Sequence, residues 1–299
     1  MIPKHLHFIY IFGSTPENTG GNSSAPQPRD PTKGWGLSHY VCIRSAIEKI
    51  RPDKVSFYLA GTPSGPWWDL TRPFVDIVEI DPPEQIFGRP VRRYAHKADV
   101  IRLERLLKHG GIYLDVDVLV HESFDPLLGH SAVMGLEGEG GLCNAVILAE
   151  KEAPFIREWY ESYRTFDDTR WSDHSIILPH KLSAKYQDSM LKLPEKAFFW
   201  PTWRAKDIYT MFGARNRSEV RGDFANHLWE QKARYYLGGL TPGHVRRIDT
   251  AFHTWARPYL DGLPDDFGGG FDRLHHVRRD IFARGWNLAH IGKEAIRGA

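Results

Sequence analysis

Asp115 and Asp117 stand two apart in the run Ile112-Tyr113-Leu114-Asp115-Val116-Asp117-Val118-Leu119-Val120. Two carboxylates held that close repel each other when ionised, and a bound cation relieves the repulsion. Oxygen ligands select a hard divalent ion, Mn2+ or Mg2+, which commonly completes its shell with phosphate oxygens and water. Just upstream, Asp99 and Arg102 are spaced to share one face of a helix and can pair. The Arg102 guanidinium offers a rigid fork for hydroxyls or phosphates. A plain surface ion pair would show the same Asp-x-x-Arg spacing, and it is the neighbouring acidic pair that points to a ligand. Together these residues fit the binding of an anionic, hydroxyl-rich molecule through a metal.

The elements that must position them are legible around them. From Asp99 to Lys108, Val100, Ile101, Leu103, Leu106 and Leu107 recur at helical spacing. His109 stands in the last turn, and Gly110-Gly111 supply the stop. The apolar residues Ile112, Leu114, Val116, Val118 and Val120 then alternate as in a half-buried strand. That reading puts Tyr113, Asp115 and Asp117 on one face, with neighbours about 7 Å apart.

Upstream, His5 to Phe12 reads as a buried first strand, Leu37 to Ile50 as an amphipathic helix, and Lys54 to Ala60 and Val75 to Ile80 as strands. Residues Gly13 to Gly36 form a long Gly/Pro/Ser/Asn-rich loop of the kind that carries function. Strands alternating with helices predict a largely parallel α/β sheet. Downstream, Ala132 to Leu136 and Ala145 to Ala149 read as strands around a glycine-rich loop containing Glu137 and Glu139, and Ala153 to Phe166 reads as a helix. The residues beyond about 235 are helical in pattern and rich in Arg and His. The expected division is a domain over residues 1–235 with a mainly helical appendage over 236–299.

The chain has 299 residues, 41% hydrophobic and 25% charged, the composition of a globular protein. A net charge of +2 is too balanced to indicate nucleic acid as a partner. No apolar run reaches membrane-spanning length, and the opening Met1–Gly13 stretch, broken by His5 and His7, does not read as a signal peptide. Cys42 and Cys143 read as buried thiols rather than a disulfide, so a cytoplasmic location is expected. Ten tryptophans suit flat stacking sites, although most aromatics serve the core. Trp171, Trp200 and Trp203 are candidate stacking platforms, with burial in the core the favoured reading.

The block Ala98-Asp99-x-x-Arg102, Leu106, Gly110-Gly111-Ile112-Tyr113-Leu114-Asp115-x-Asp117 resembles the DXD sugar-transferase region of family 32 glycosyltransferases. Ile2-Pro3-Lys4-His5-x-His7-Phe8-Ile9-Tyr10 resembles that family's opening strand, with Tyr10 where Trp is usual. Phe199-Trp200-Pro201 and His227-Leu228-Trp229 resemble weaker, later markers. The resemblance spans about residues 1 to 230 and is specific mainly from 96 to 118. It implies a GT-A-type nucleotide-sugar-binding fold, with a mostly parallel mixed central sheet flanked by helices. It also implies a nucleotide-sugar donor, Mn2+ or Mg2+, and transfer with retention of anomeric configuration.

By the same resemblance, Asp115 and Asp117 hold the ribose and the metal-diphosphate, with Asp117 the more direct ligand. Asp99 and Arg102 bind hydroxyls of the donor sugar, and Asn144 lies near that sugar. Phe8, Ile9 and Tyr10 line the nucleoside pocket, and Tyr10 reads equally as a core aromatic. His227 approaches the metal, and His253-Thr254-Trp255 is a competing triplet. Asp115, Asp117 and Arg102 are the residues expected to carry catalysis. Arg93 and Lys97 could add positive charge or simply be solvated. Glu137 and Glu139 are candidate nucleophiles by position alone, and front-side attack, which needs none, is favoured. A UDP-sugar is the expected donor, and a carbohydrate, lipid-linked or protein molecule the acceptor. The alternative is a non-catalytic nucleotide-sugar-binding module derived from such an enzyme.

Overall fold

The computed structural model describes residues 1–11, 34–138, 140–215 and 218–269, together with 281, 285 and 289–291. Glu139, most of the 13–36 loop and most of the tail beyond 269 lie outside the described residues.

Eleven strands are described: β1 His5–Ile11, β2 Lys54–Ala60, β3 Asp76–Glu79, β4 Gln85–Ile86, β5 Arg89–Pro90, β6 Gly111–Leu114, β7 Val118–Val120, β8 Ala132–Glu137, β9 Gly141–Ala149, β10 Met190–Leu193 and β11 Ala225–His227. The α-helices are α1 Leu37–Ile50, α2 Pro66–Thr71, α3 Tyr94–His109, α4 Pro154–Glu161, α5 Leu178–Ser183, α6 Ala205–Phe212, α7 Glu230–Leu237, α8 Pro242–Arg247 and α9 Ala251–Ala256. Seven strands form the central sheet in the order β10-β8-β9-β6-β1-β2-β3. β1 runs parallel to β2 and β6, β2 to β3, and β8 to β10, while β9 runs antiparallel to both β6 and β8. This is the mostly parallel, mixed sheet that the resemblance implies.

Both faces are covered, so the inner strands are apolar on both sides. Leu6 and Phe8 of β1 join α1 residues Val41, Ile43 and Ala46 in one core cluster. Ile9 joins Val100 and Leu103 of α3 and Phe155, Ile156 and Trp159 of α4 in the other. α1 and β2 have the bounds the sequence pattern predicts. α3 starts a turn earlier than its apolar spacing shows, at Tyr94. Its end is set by two glycines at φ 65° and 115°. A Cβ on Gly111 would lie 2.3 Å from the His5 carbonyl oxygen, so the turn from α3 into β6 admits no side chain there.

The 112–120 run differs from its expectation. It is not one strand with both aspartates on a face. β6 ends at Leu114, residues 115–117 form a turn, and β7 leaves the central sheet to pair antiparallel with β11. The Asp115 N–H still donates to the Ala145 carbonyl at 2.8 Å, and the Val118 N–H then closes the turn on the Asp115 carbonyl at 3.1 Å. Aspartate is a poor strand former and a good turn former. Val116 meanwhile packs against the core, which preserves the apolar alternation through the break.

The described residues from 236 to 269 include α8 and α9. Leu237, Leu240, Val245, Phe252, Ala256 and Leu260 share the core cluster that contains Phe8 and α1. Residue 235 itself lies within α7. Cys42 and Cys143 are free and buried. Among the described residues, no helix is long and apolar enough to cross a membrane.

Candidate active site

The turn at 115–117 lies where β6 gives way to β7, and three other segments converge on it. The first is the junction of β11 with α7. Asp117 is buried, with its Oδ1 3.2 Å from His227 Nε2. Its Oδ2 accepts the Glu230 N–H at the start of α7, at 2.9 Å, and its carbonyl accepts the Leu228 N–H. Burial alone would raise the Asp117 pKa. The His227 imidazole and the Glu230 N–H overcome that and hold it well below the usual carboxylate range. Burial pushes His227 down, and the Asp117 charge more than reverses it, so its pKa is raised.

The second segment is α3 with β9. Arg102 is buried, and its guanidinium is engaged on all sides. Nη2 lies 3.3 Å from Asp99 Oδ1 and 3.4 Å from Asp115 Oδ1. Nη1 donates to the Asn144 carbonyl at 2.6 Å, Nε donates to the Ala98 carbonyl, and the group lies 4.4 Å from the Tyr113 ring centre. Asn144 Nδ2 donates to Asp99 Oδ1 at 2.7 Å. The Tyr113 hydroxyl donates to Asp115 Oδ1 at 2.5 Å. Burial raises the Asp99 pKa, and the Arg102 charge only partly offsets this. Asp99, Arg102, Asn144 and Asp115 thus form one connected network. Within it Arg102 ties α3 to the turn, which uses most of the donors expected to meet sugar hydroxyls.

The third segment is the first turn of α1 with the end of β1. His39 is buried and stacks on Trp35, with centroids 4.7 Å apart. Its Nδ1 accepts the Gly36 N–H at 3.0 Å, and its Nε2 lies 3.1 Å from the Glu230 carboxylate. Tyr10 meets both rings edge-on and donates its hydroxyl to the Gly34 carbonyl. Phe8 and Ile9 do not join it. Both are core residues on opposite faces of a sheet covered on each side, so of the three expected nucleoside contacts Tyr10 is the one beside the site.

One carboxylate oxygen each from Asp115 and Asp117 and one ring nitrogen of His227 lie within 4.8 Å of one another. Two carboxylate oxygens and an imidazole nitrogen make a donor set that a divalent ion can take. The residues present therefore fit a divalent ion. His253 does not join the group. Its Nδ1–H donates to the Ile248 carbonyl at 2.9 Å, within α9 and the turn before it. Glu137 ends β8, and its charge bears on both Cys143 and His227. Arg93 lies over the exposed Trp171 ring. Trp200 and Trp203 are also exposed, against the expectation of burial.

His39 and Glu230 escaped the sequence reading, and Tyr113 is placed there beside the acidic pair without a role. His39 sits in an ordinary amphipathic helix pattern. Its one signal is its place in the first turn after a long Gly-rich loop, where a helix start commonly faces a site. Glu230 acts through its backbone N–H, for which the side-chain type carries no signal.

A sequence profile described as the glycosyltransferase sugar-binding region containing the DXD motif matches residues 69–134. The chain is 34% identical over 286 residues to glucan organizing enzyme 1 of Cryptococcus neoformans var. grubii, covering 92% of this chain and 75% of that protein. It is 42% identical over 108 residues to inositol phosphoceramide mannosyltransferase 3 of Schizosaccharomyces pombe, covering 36% of this chain and 28% of that protein. Among solved structures, the galactosyltransferase LgtC in complex with donor and acceptor sugar analogues matches with a TM-score of 0.37 and 15% identity. That match covers 87% of this chain and 98% of LgtC.

Proposed function

We propose a specific reaction for this chain, which belongs to the family of glycosyltransferases whose sugar-binding region contains the DXD motif. It moves a hexose from a nucleotide-sugar donor, a UDP-sugar by preference, to an acceptor hydroxyl with retention of anomeric configuration, and it requires Mn2+ or Mg2+. The observation that carries this reading is the convergence of Asp115, Asp117 and His227 within 4.8 Å at the end of the sheet. The names of the two relatives, a glucan organizing enzyme and a mannosyltransferase, support a hexose as the transferred group. Two free, buried cysteines support a cytoplasmic setting.

A divalent ion bound at this triad would neutralise the donor diphosphate and stabilise it as a leaving group. The chain's own residues prepare that chemistry. The Glu230 N–H and His227 fix the Asp117 carboxylate. Arg102 and the Tyr113 hydroxyl fix Asp115, so the turn is preorganised rather than shaped by its ligand. Asp99 and Asn144, bonded to each other, present polar edges to the donor sugar. Tyr10, half-buried at the end of β1, leaves an aromatic edge for the nucleoside, with the buried Trp35 and His39 rings packed behind it. Front-side attack asks of the protein only that acceptor and leaving group share one face, with water kept out.

The test is a panel of UDP-glucose, UDP-galactose, UDP-N-acetylglucosamine and GDP-mannose, with and without Mn2+. Donor hydrolysis and transfer are followed, and the anomeric configuration of the product is read by NMR. Turnover indifferent to chelator would end the metal reading, and an inverted product would end the retaining one. Binding of nucleotide without any turnover would favour a non-catalytic module.

A further inference from the structure

The segment before α6 carries an aromatic surface that donor chemistry leaves unused. Trp200 and Trp203 expose 37% and 43% of their area. They belong to a segment whose backbone is firmly held. The Trp200 carbonyl accepts Asn226 Nδ2 at 2.5 Å, and the Pro201 carbonyl accepts Trp229 Nε1 at 2.9 Å. The Thr202 N–H and hydroxyl both donate to Asp207. The Trp203 ring lies 5.7 Å from Lys232 Nζ.

Two of these anchors, Asn226 and Trp229, adjoin His227 of the triad. Asn226 immediately precedes His227. The Trp229 ring lies 4.0 Å from the His227 ring, and Phe199, next to Trp200, meets His227 edge-on at 6.0 Å. Lys232 is in the first turn of α7, whose Glu230 N–H holds Asp117. The backbone that carries the two indoles is therefore tied to the same β11–α7 junction that supplies His227.

We propose that Trp200 and Trp203 form the acceptor subsite, stacking the rings of a carbohydrate acceptor so that its hydroxyl is presented beside the triad. This rests on Asp115, Asp117 and His227 being the donor site. An indole offers a large, stiff apolar face with one polar handle, which matches the C–H face and hydroxyl rim of a pyranose. The groups around it carry both signs of charge: Arg204, Asp207 and Lys232. Such mixed polar groups suit hydroxyls. A bilayer-anchoring patch would join its aromatics to one sign of charge and a continuous apolar face.

The experiment titrates the full chain, saturated with UDP and Mn2+, with two soluble probes: a β-linked glucose hexamer and an α-linked mannose hexamer. Binding is read by calorimetry. At least one hexamer should bind. The double variant Trp200→Ala/Trp203→Ala should weaken it by about tenfold or more, and Trp200→Phe/Trp203→Phe should restore most of the affinity. UDP affinity with Mn2+, measured on every variant, reports whether the fold and donor site survive. Failure of the wild type to bind UDP with Mn2+ would sink the donor reading and this inference with it. Normal UDP binding with no hexamer bound, or with hexamer affinity indifferent to both indoles, would sink this inference alone. So would loss of binding to anionic vesicles while hexamer affinity persisted.

Discussion

Two polar clusters sit at opposite ends of the parallel strands, and loss of water has opposite outcomes for the imidazoles at their centres. Where β1, β2 and β6 begin, the rings of His5, His7 and His109 lie 3.9 to 6.2 Å apart. His7 Nε2–H donates to the Gly110 carbonyl at 2.8 Å, and Nδ1 accepts the Tyr58 hydroxyl. Desolvation comes first in lowering His7 to about 3, with His5, His109 and Arg105 adding to it. Desolvation and Lys54 lower His5 to about 4. At the far end His227, with 11% of its side chain exposed, is shifted upward, because Asp117 faces it. Burial removes water at both ends, and the sign of the neighbours decides which imidazole can carry charge. One end is a neutral hydrogen-bonded joint. The other is a charged network whose net effect is to hold carboxylates in place.

The sharpest way to break this contrast is at Asp117. Asp117→Asn keeps the shape but removes the charge, and Mn2+-dependent donor turnover should fall about a thousandfold. Steady-state rates across a Mn2+ titration check it, and an unchanged metal dependence would remove Asp117 from the site. At the neutral end, Gly111→Ala forces a Cβ onto the His5 carbonyl at φ 115° and should cost about 3 kcal/mol of stability. Urea unfolding measures that loss, and a midpoint within error of wild type would mean that the Gly110-Gly111 joint is slack.

Arg102→Lys tests whether a point charge can replace the fork that joins Asp99, Asp115 and the Asn144 carbonyl. Turnover should drop about ten- to a hundredfold, since Lys cannot span all three. Equal activity would make Arg102 a mere counter-charge.

The smallest effect is a pH slope. The folded pKa of His7 lies below its unfolded value of 6.5, so the unfolded chain binds the extra proton. Its contribution is complete above about pH 6.5 and is lost as pH falls from there toward 3, at about 1.4 kcal/mol per unit. His7→Gln should flatten the stability profile between pH 6 and 4 by up to that amount. Parallel profiles for the two proteins would show that His7 is not the proton acceptor.

Much of the frame was legible before any coordinates. α1 and β2 announced their bounds because apolar spacing and turn residues are local properties. Asp99 and Arg102 could be paired because three residues along a helix is a fixed geometry. The break at Asp115 was hidden because Val116 packs inward like a strand residue while its backbone turns. The burial of Phe8 was hidden because a resemblance at the level of a strand does not say which face is already covered. The exposure of Trp200 and Trp203 was hidden for the same reason, since an indole's type fits both core and rim.

From its sequence alone this chain declared an alternating α/β order, the acidic pair 115/117 and the Asp-x-x-Arg helix, since each depends on spacing along one segment. Only the tertiary structure decided that His227 rather than His253 meets the acidic pair. It likewise decided that the Glu230 backbone holds Asp117 and that Arg102 is spent on bracing Asp115. Those contacts join residues far apart in the chain. Their geometry follows from how β7 leaves the main sheet to pair with β11, which no local pattern encodes.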